Sequence, residues 1–420
     1  MNTEKYYKLR YIYLLAIVNC IIMTYIFKVD ISIDTPTYID AWTMLQNGQI
    51  DKFRTPVYPV FLGVMNIICG GNYLWYVVAL QHVVFLVSIR YLYVLMINTI
   101  SNQKIVFYLI LFYALYPCVA TYNCCIATET FAVAGSIFLL YSIWRLYKTR
   151  NYRYGLYSFI WIFFLVFLRP AVIYLLPVSI LCWCLLAIKG NKKFNVSVLL
   201  GIAGNVVVSI SLIAYMFMFK NTYGIFTPSG ISLNNKYSIA KAAAVIDYDS
   251  KENDEIFSCL VNENNTNAIG KEAENIINTV GMKGFSDMVD KSIRQNKEKY
   301  VLRLLQNIRN ASDDNLFEPS YRIGYIGFIS DLLGIKINIL YSFFLLYTCI
   351  LIRWMRCNKE FAFFSCLLFM IGVSNYILIV IASPGEYGRL SLPAIPAYLI
   401  MIGQMLDSIK IERINNICFN

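Results

Sequence analysis

Ten apolar runs, separated mostly by short polar links, set the pattern of this chain: 11–27, 73–96, 104–121, 129–146, 154–168, 171–188, 196–219, 337–353, 361–382 and 391–407. A helix needs about 20 mostly apolar residues to cross the hydrocarbon core of a bilayer. The pattern therefore predicts an all-α polytopic membrane protein with about ten transmembrane helices. A further run, 57–69, is apolar but short, and reads as a re-entrant or interfacial helix. The stretch before it is amphipathic. Thr35 and Pro36 read as N-cap and first-turn proline. Tyr38, Ala41, Trp42 and Leu45 then fall at i, i+3, i+4 and i+7, one apolar face. Gly48 supplies a stop, and Arg54-Thr55-Pro56-Val57-Tyr58-Pro59 turns the chain back towards the bilayer.

This spacing divides the chain into a transmembrane module (1–219) with a first outer loop (28–72), a hydrophilic insertion (220–336) and a C-terminal transmembrane module (337–420). Within the insertion, 266–280 and 285–309 read as helices, and the insertion is either a small helical cap or a lid that binds an acceptor. With the N-terminus inside, the inner loops hold sixteen basic residues against four acids, whereas the insertion has 14 against 15. That asymmetry fixes the orientation. It also accounts for the net charge of +11 without nucleic acid. A hydrophobic content of 58% with only 15% charged residues and a mean hydropathy of +0.57 exclude an ordinary soluble domain. The expected location is the plasma (inner) membrane, with membrane lipids as neighbours. Six of the twelve cysteines, Cys20, Cys118, Cys182, Cys184, Cys349 and Cys366, sit in these apolar runs, where a thiol behaves as a small hydrophobe. Cys124 and Cys125 face outwards in this topology, which leaves one bridge to Cys259 open.

Ionisable groups near membrane depth are expensive and mark function by default. Asp34, Arg54, Glu129, Arg169, Glu386 and Arg389 all fall at the outer ends of spans or in outer loops. Asp34 is the best general base, because a partly desolvated carboxylate can take a proton from an attacking hydroxyl. Asp40 is a secondary candidate, and Asp30 and Asp51 read as solvated. Arg54, Arg169 and Arg389 match phosphate oxygens with their planar forks. Each has a plainer alternative: Arg169 as an interfacial snorkelling residue, Arg389 as the partner of Glu386, and Glu129 as an acid suited to a helix N-terminus. The lone His82 reads as a buried polar contact.

These motifs resemble the GT-C superfamily of membrane glycosyltransferases, in the branch containing protein O-mannosyltransferases and the lipid A aminoarabinose transferase. The resemblance rests on Asp34 and Tyr38 in the first loop, the turn of Arg54, Pro56, Tyr58 and Pro59, the acid Glu129, the pair Arg169-Pro170, and the stretch Glu386, Arg389, Pro393 and Pro396. It implies a GT-C bundle and a polyprenyl-phosphate-linked sugar as donor. It implies a glycan, lipid or protein hydroxyl as acceptor, and inverting transfer on the extracytoplasmic face. By the same resemblance Asp34 is the catalytic base with Glu129 beside it. Arg54, Arg169 and Arg389 hold the donor phosphate, and Tyr38, Asp40, Tyr58 and Glu386 support the pocket. A divalent cation is left open, although Thr35 replaces the second acid of the family's first-loop pair. Two other classes fit a polytopic chain with a large outer loop: a polysaccharide polymerase or O-antigen ligase type of transferase, and a non-enzymatic lipid-glycan flippase. The first-loop constellation favours the glycosyltransferase, and charges deep in several spans, which a transporter needs, are scarce.

Overall fold

The computed structural model describes residues 3–188, 192–246, 266–316, 335–357, 359–382 and 387–418. The architecture is that of an all-helical polytopic membrane protein. Among the described residues, seven helices are long and apolar enough to cross a membrane, or eight if the bent pair Gln103–Leu115 and Pro117–Asn123 is one span. The predicted spans 154–168 and 337–353 correspond to shorter apolar helices, Arg153–Leu168 and Ile339–Met355. The exception to the helical plan is a two-residue antiparallel ladder, Asn315–Leu316 with Ile335–Lys336, at the foot of the insertion.

The helix Glu129–Thr149 is the centre of the bundle. It packs against Arg153–Leu168, Tyr73–Thr99 and the short segment Leu392–Ala394. Small residues let its neighbours approach: a Cβ on Gly135 would stand 2.9 Å from the Leu165 side chain. With Tyr387–Ser408, it is the most enclosed of the candidate spans. Both begin at the same end of the bundle, and each brings one charged side chain, Glu129 and Arg389, to that end.

The first loop folds as the hydrophobic pattern predicts, with one shift. Its helix runs Thr35–Gln46 with Asp34 at the N-cap position and Pro36 in the first turn, one residue earlier than expected. Gly48, at φ +71°, adopts the left-handed geometry that ends a helix. Thr35, Tyr38 and Ala41 are buried. Trp42 lies so close over the backbone of Gly63 that a Cβ there would meet the indole at 2.1 Å. The apolar run expected to be re-entrant or interfacial is the helix Val57–Cys69, which packs on both Thr35–Gln46 and Tyr73–Thr99. Gly70, at φ +65° and ψ −150°, breaks it from the next helix, so the 43-residue apolar stretch Val57–Thr99 is not one rod.

The insertion contains the helices Ile231–Ala242, Thr266–Gln295 and Lys297–Asp313. The break expected between 280 and 285 falls at Gly281 (φ 76°, ψ 164°), where two helical segments meet, whereas the helix expected over 285–309 is interrupted at Asn296. Phe219, Leu233, Tyr237, Ile276, Phe285 and Val289 form a second core, to which the first loop contributes Ile50. That joint is also hydrogen-bonded. Tyr223 OH donates to the Ile50 carbonyl (2.5 Å), Gly230 N to that of Lys52 (2.9 Å) and Ser229 Oγ to that of Phe53 (2.5 Å). Insertion and first loop therefore form one packed unit, and the residue next in line after Phe53 is Arg54.

Candidate active site

Local sequence aims each charged group. Asp51 accepts from the backbone N–H of Phe53 (2.7 Å) and Arg54 (2.6 Å), an Asx-type turn that presents the Arg54 side chain to the start of the Thr35–Gln46 helix. There Arg54 donates through Nε to Thr37 Oγ1 (2.7 Å) and through Nη2 to Asp34 Oδ1 (2.6 Å). Its guanidinium stacks 4.4 Å above the Tyr38 ring. Asp34 does not cap its helix, because its second oxygen, Oδ2, accepts from Arg389 Nη2 at 2.5 Å.

Arg389 carries the chain of charges inward. Its Nε donates to Glu129 Oε1 at 2.5 Å, and Arg169 Nη1 donates to the same oxygen at 2.6 Å. Arg169 points there because Pro170 disfavours helical geometry in the residue before it. At φ −157° and ψ 127° Arg169 is extended, and it closes the Arg153–Leu168 helix facing Glu129. Five side chains thus alternate in sign: Arg54, Asp34, Arg389, Glu129, Arg169. They come from five separate segments, and the set carries one net positive charge. Glu129 is 1% exposed, and its Oε2 is buried without a hydrogen-bond partner.

A neutral layer supports the charged one. Tyr38 stacks edge-on against Tyr58 at 4.8 Å, and Tyr58 OH donates to Gln81 Oε1 at 3.2 Å. Gln81 Nε2 donates to the carbonyls of Asn123 (3.0 Å) and Cys125 (2.8 Å), fixing the loop that leads into Glu129. Gln81, Thr37 and Asp51 escaped the sequence reading. A neutral amide inside an apolar run signals membrane depth and nothing more, and a loop aspartate looks solvated until its turn is known. Asp30 and Asp51, expected in solvent, are both buried. Cys124 and Cys125 are buried free thiols, and Cys259, the partner left open for them, lies outside the described residues. Asp40 is exposed on the polar side of its helix, away from the charge network. Glu386 lies outside the described residues. His82 makes the polar contact expected of it, with Nε2 2.8 Å from Thr24 Oγ1, but is only half-buried.

Burial works to raise the Asp34 pKa, but the Arg54 and Arg389 guanidiniums beside it outweigh burial and hold the carboxyl far below its usual range. A depressed folded-state pKa contributes stability that is complete above the ordinary value of 3.8 and is lost as pH falls through the folded value. Acidification from about pH 5 to about pH 3 should therefore lower the melting temperature of the parent more than that of Asp34→Asn. Equal slopes, measured by thermal unfolding in micelles, would contradict the paired state.

The donor set suits an anion rather than a divalent cation. Both carboxylates are already occupied by guanidinium groups, and no cluster of three or more His, Cys, Asp or Glu able to hold a metal occurs among the described residues. No protein-family model matches the chain, and no curated protein matches it.

Proposed function

We propose that the chain is an integral-membrane glycosyltransferase of the GT-C type, moving a sugar from a polyprenyl-phosphate donor to an acceptor hydroxyl on the extracytoplasmic face, in cell-envelope glycan or glycolipid assembly. The observation that carries this reading is the alternating network Arg54–Asp34–Arg389–Glu129–Arg169. Its excess of guanidinium suits a phosphate, and its carboxylates suit a hydroxyl. A groove of about 1160 Å³ lies between the first helix and Tyr73–Thr99, lined by Ile17, Ile21, Trp75, Ala79 and Leu86 with Lys28 among its lining. His82 is part of that lining, and its neighbour Gln81 holds Tyr58. An isoprenoid tail in this groove would lie alongside the neutral layer of the site.

The pairing suggests an order of events. With both arginines on Asp34, the carboxylate is too weak a base to accept a proton from an alcohol. A donor phosphate competing for Arg389 and Arg54 would remove part of the charge that depresses Asp34 and raise its basicity. Acceptor activation then follows donor binding. The acceptor oxygen attacks the anomeric carbon as its proton passes to Asp34, and the bond from that carbon to the phosphate oxygen breaks. Polyprenyl phosphate departs with the bonding pair, and its charge is stabilised by the arginines.

The test is Asp34→Asn, which keeps the shape and removes the base. Folded, purified protein assayed against a panel of polyprenyl-phosphate sugars should lose about a hundred-fold or more in turnover. Undiminished transfer would remove Asp34 from the chemistry. Lipid movement between leaflets without a new glycosidic bond would instead identify a transporter.

A further inference from the structure

The insertion carries one helix whose surface does not suit water. Along Lys297–Asp313, Asn307 and Ala311 are buried against the protein. The adjoining arc holds Val301, Leu302, Leu305 and Ile308, which are 52%, 58%, 56% and 36% exposed. These positions follow i, i+1, i+4 and i+7, so the four aliphatic side chains form one continuous stripe. Leaving four such side chains open to water forfeits the hydrophobic gain of burying them. Lys297, Lys299 and Arg309, all exposed, surround the stripe with positive charge.

The helix is also held beside the membrane-spanning part. It packs against Lys359–Ala382, which contains the candidate span Ala362–Ile381. Its last turn is tied there by hydroxyls. Tyr341 OH donates to the Ile308 carbonyl (3.4 Å) and lies 3.0 Å from Ser312 Oγ, and Tyr376 OH donates to Tyr341 OH at 2.5 Å. Tyrosines of this kind, apolar in body and polar at the tip, concentrate where spans meet the aqueous surface.

We infer that Lys297–Asp313 is an interfacial helix, lying in the plane of the bilayer surface with Val301, Leu302, Leu305 and Ile308 among the acyl chains and its lysines and arginines on anionic headgroups. Apolar burial and attraction to anionic lipid are the two terms that bind such a helix. The occupant is lipid rather than a second polypeptide, because the helix that bears the stripe packs against one that is itself apolar enough to cross the membrane. The insertion is thereby moored on two sides, to the Ile50–Phe53 stretch and to the bilayer.

A photoreactive benzoylphenylalanine in place of Leu305 tests this in the full-length chain, reconstituted in vesicles of phosphatidylethanolamine and phosphatidylglycerol. The same probe in place of Gln306, on the polar side, is the control. Irradiation should yield a lipid adduct at position 305 at least about tenfold above that at 306, by the difference in depth between the faces of an interfacial helix. Equal labelling at the two positions, no lipid adduct at 305, or a crosslink from 305 to a second polypeptide would each overturn the inference. Should the Leu305 substitution prevent insertion, the probe at Leu302 reads the same stripe.

Discussion

Arg389→Met should abolish transfer and weaken the fold together. Among the described residues Arg389 is the group that bridges the two carboxylates, Asp34 through Nη2 and Glu129 through Nε. Its removal leaves Asp34 with Arg54 alone and Glu129, buried, with Arg169 alone. Breaking a buried ionic contact from one side costs about 3–5 kcal/mol, because the remaining charge stays desolvated. In the proposed reaction the same change removes one phosphate ligand and releases the base from its position. Losses of about a hundred-fold for each compound to about ten-thousand-fold in turnover. Arg389→Lys is the informative companion. A single ammonium can restore charge, and with it part of the stability, but it lacks the planar fork that reaches two acceptors at once. Turnover by Arg389→Met within tenfold of the parent, in protein with a normal melting profile, would show that the network is structural only.

The second large effect is expected at Glu129. Glu129→Gln conserves shape but leaves Arg169 and Arg389 directed at a neutral amide and at one another. Their mutual repulsion and the lost charge-assisted bonds should lower the unfolding free energy by about 3–5 kcal/mol. The effect should be non-additive: in the Glu129→Gln background, Arg169→Gln should cost about 1–3 kcal/mol less than in the parent. Chemical unfolding of the four proteins in micelles measures this directly. A zero coupling energy would mean that Arg169 and Glu129 do not share a charge. Because Oε2 of Glu129 is buried without a partner, this residue also has a lone pair to offer a ligand hydroxyl. Glu129→Gln should therefore weaken acceptor use as well as the fold.

Much of this site could be read from residue types. Charge is costly at membrane depth, so Asp34, Arg54, Glu129, Arg169 and Arg389 stood out against apolar runs, and five of them on one side of one topology pointed to a single pocket. The helices of the first loop were legible for a similar reason: Pro36, the Tyr38–Leu45 stripe and Gly48 are local signals. What could not be read was pairing. Nothing in the sequence joins Arg389 to Asp34, because 355 residues separate them and only packing brings them together. Asp40 misled because periodicity identifies a face without saying which groups approach it. The burial of Asp30 and Asp51 was invisible because it depends on contacts with Cys124 and on a turn around Arg54.

The joint between the insertion and the Ile50–Phe53 stretch has a consequence for biosynthesis. Asp34 and Arg54 leave the ribosome early, yet the stretch leading to Arg54 is braced by residues 223–230 and the central bridge, Arg389, is made 355 residues after Asp34. A nascent chain halted before residue 389 would hold Asp34 against Arg54 but leave Asp34 and Glu129 without the bridge between them. The full alternating network should thus appear in one step, when Arg389 joins Asp34 to Glu129.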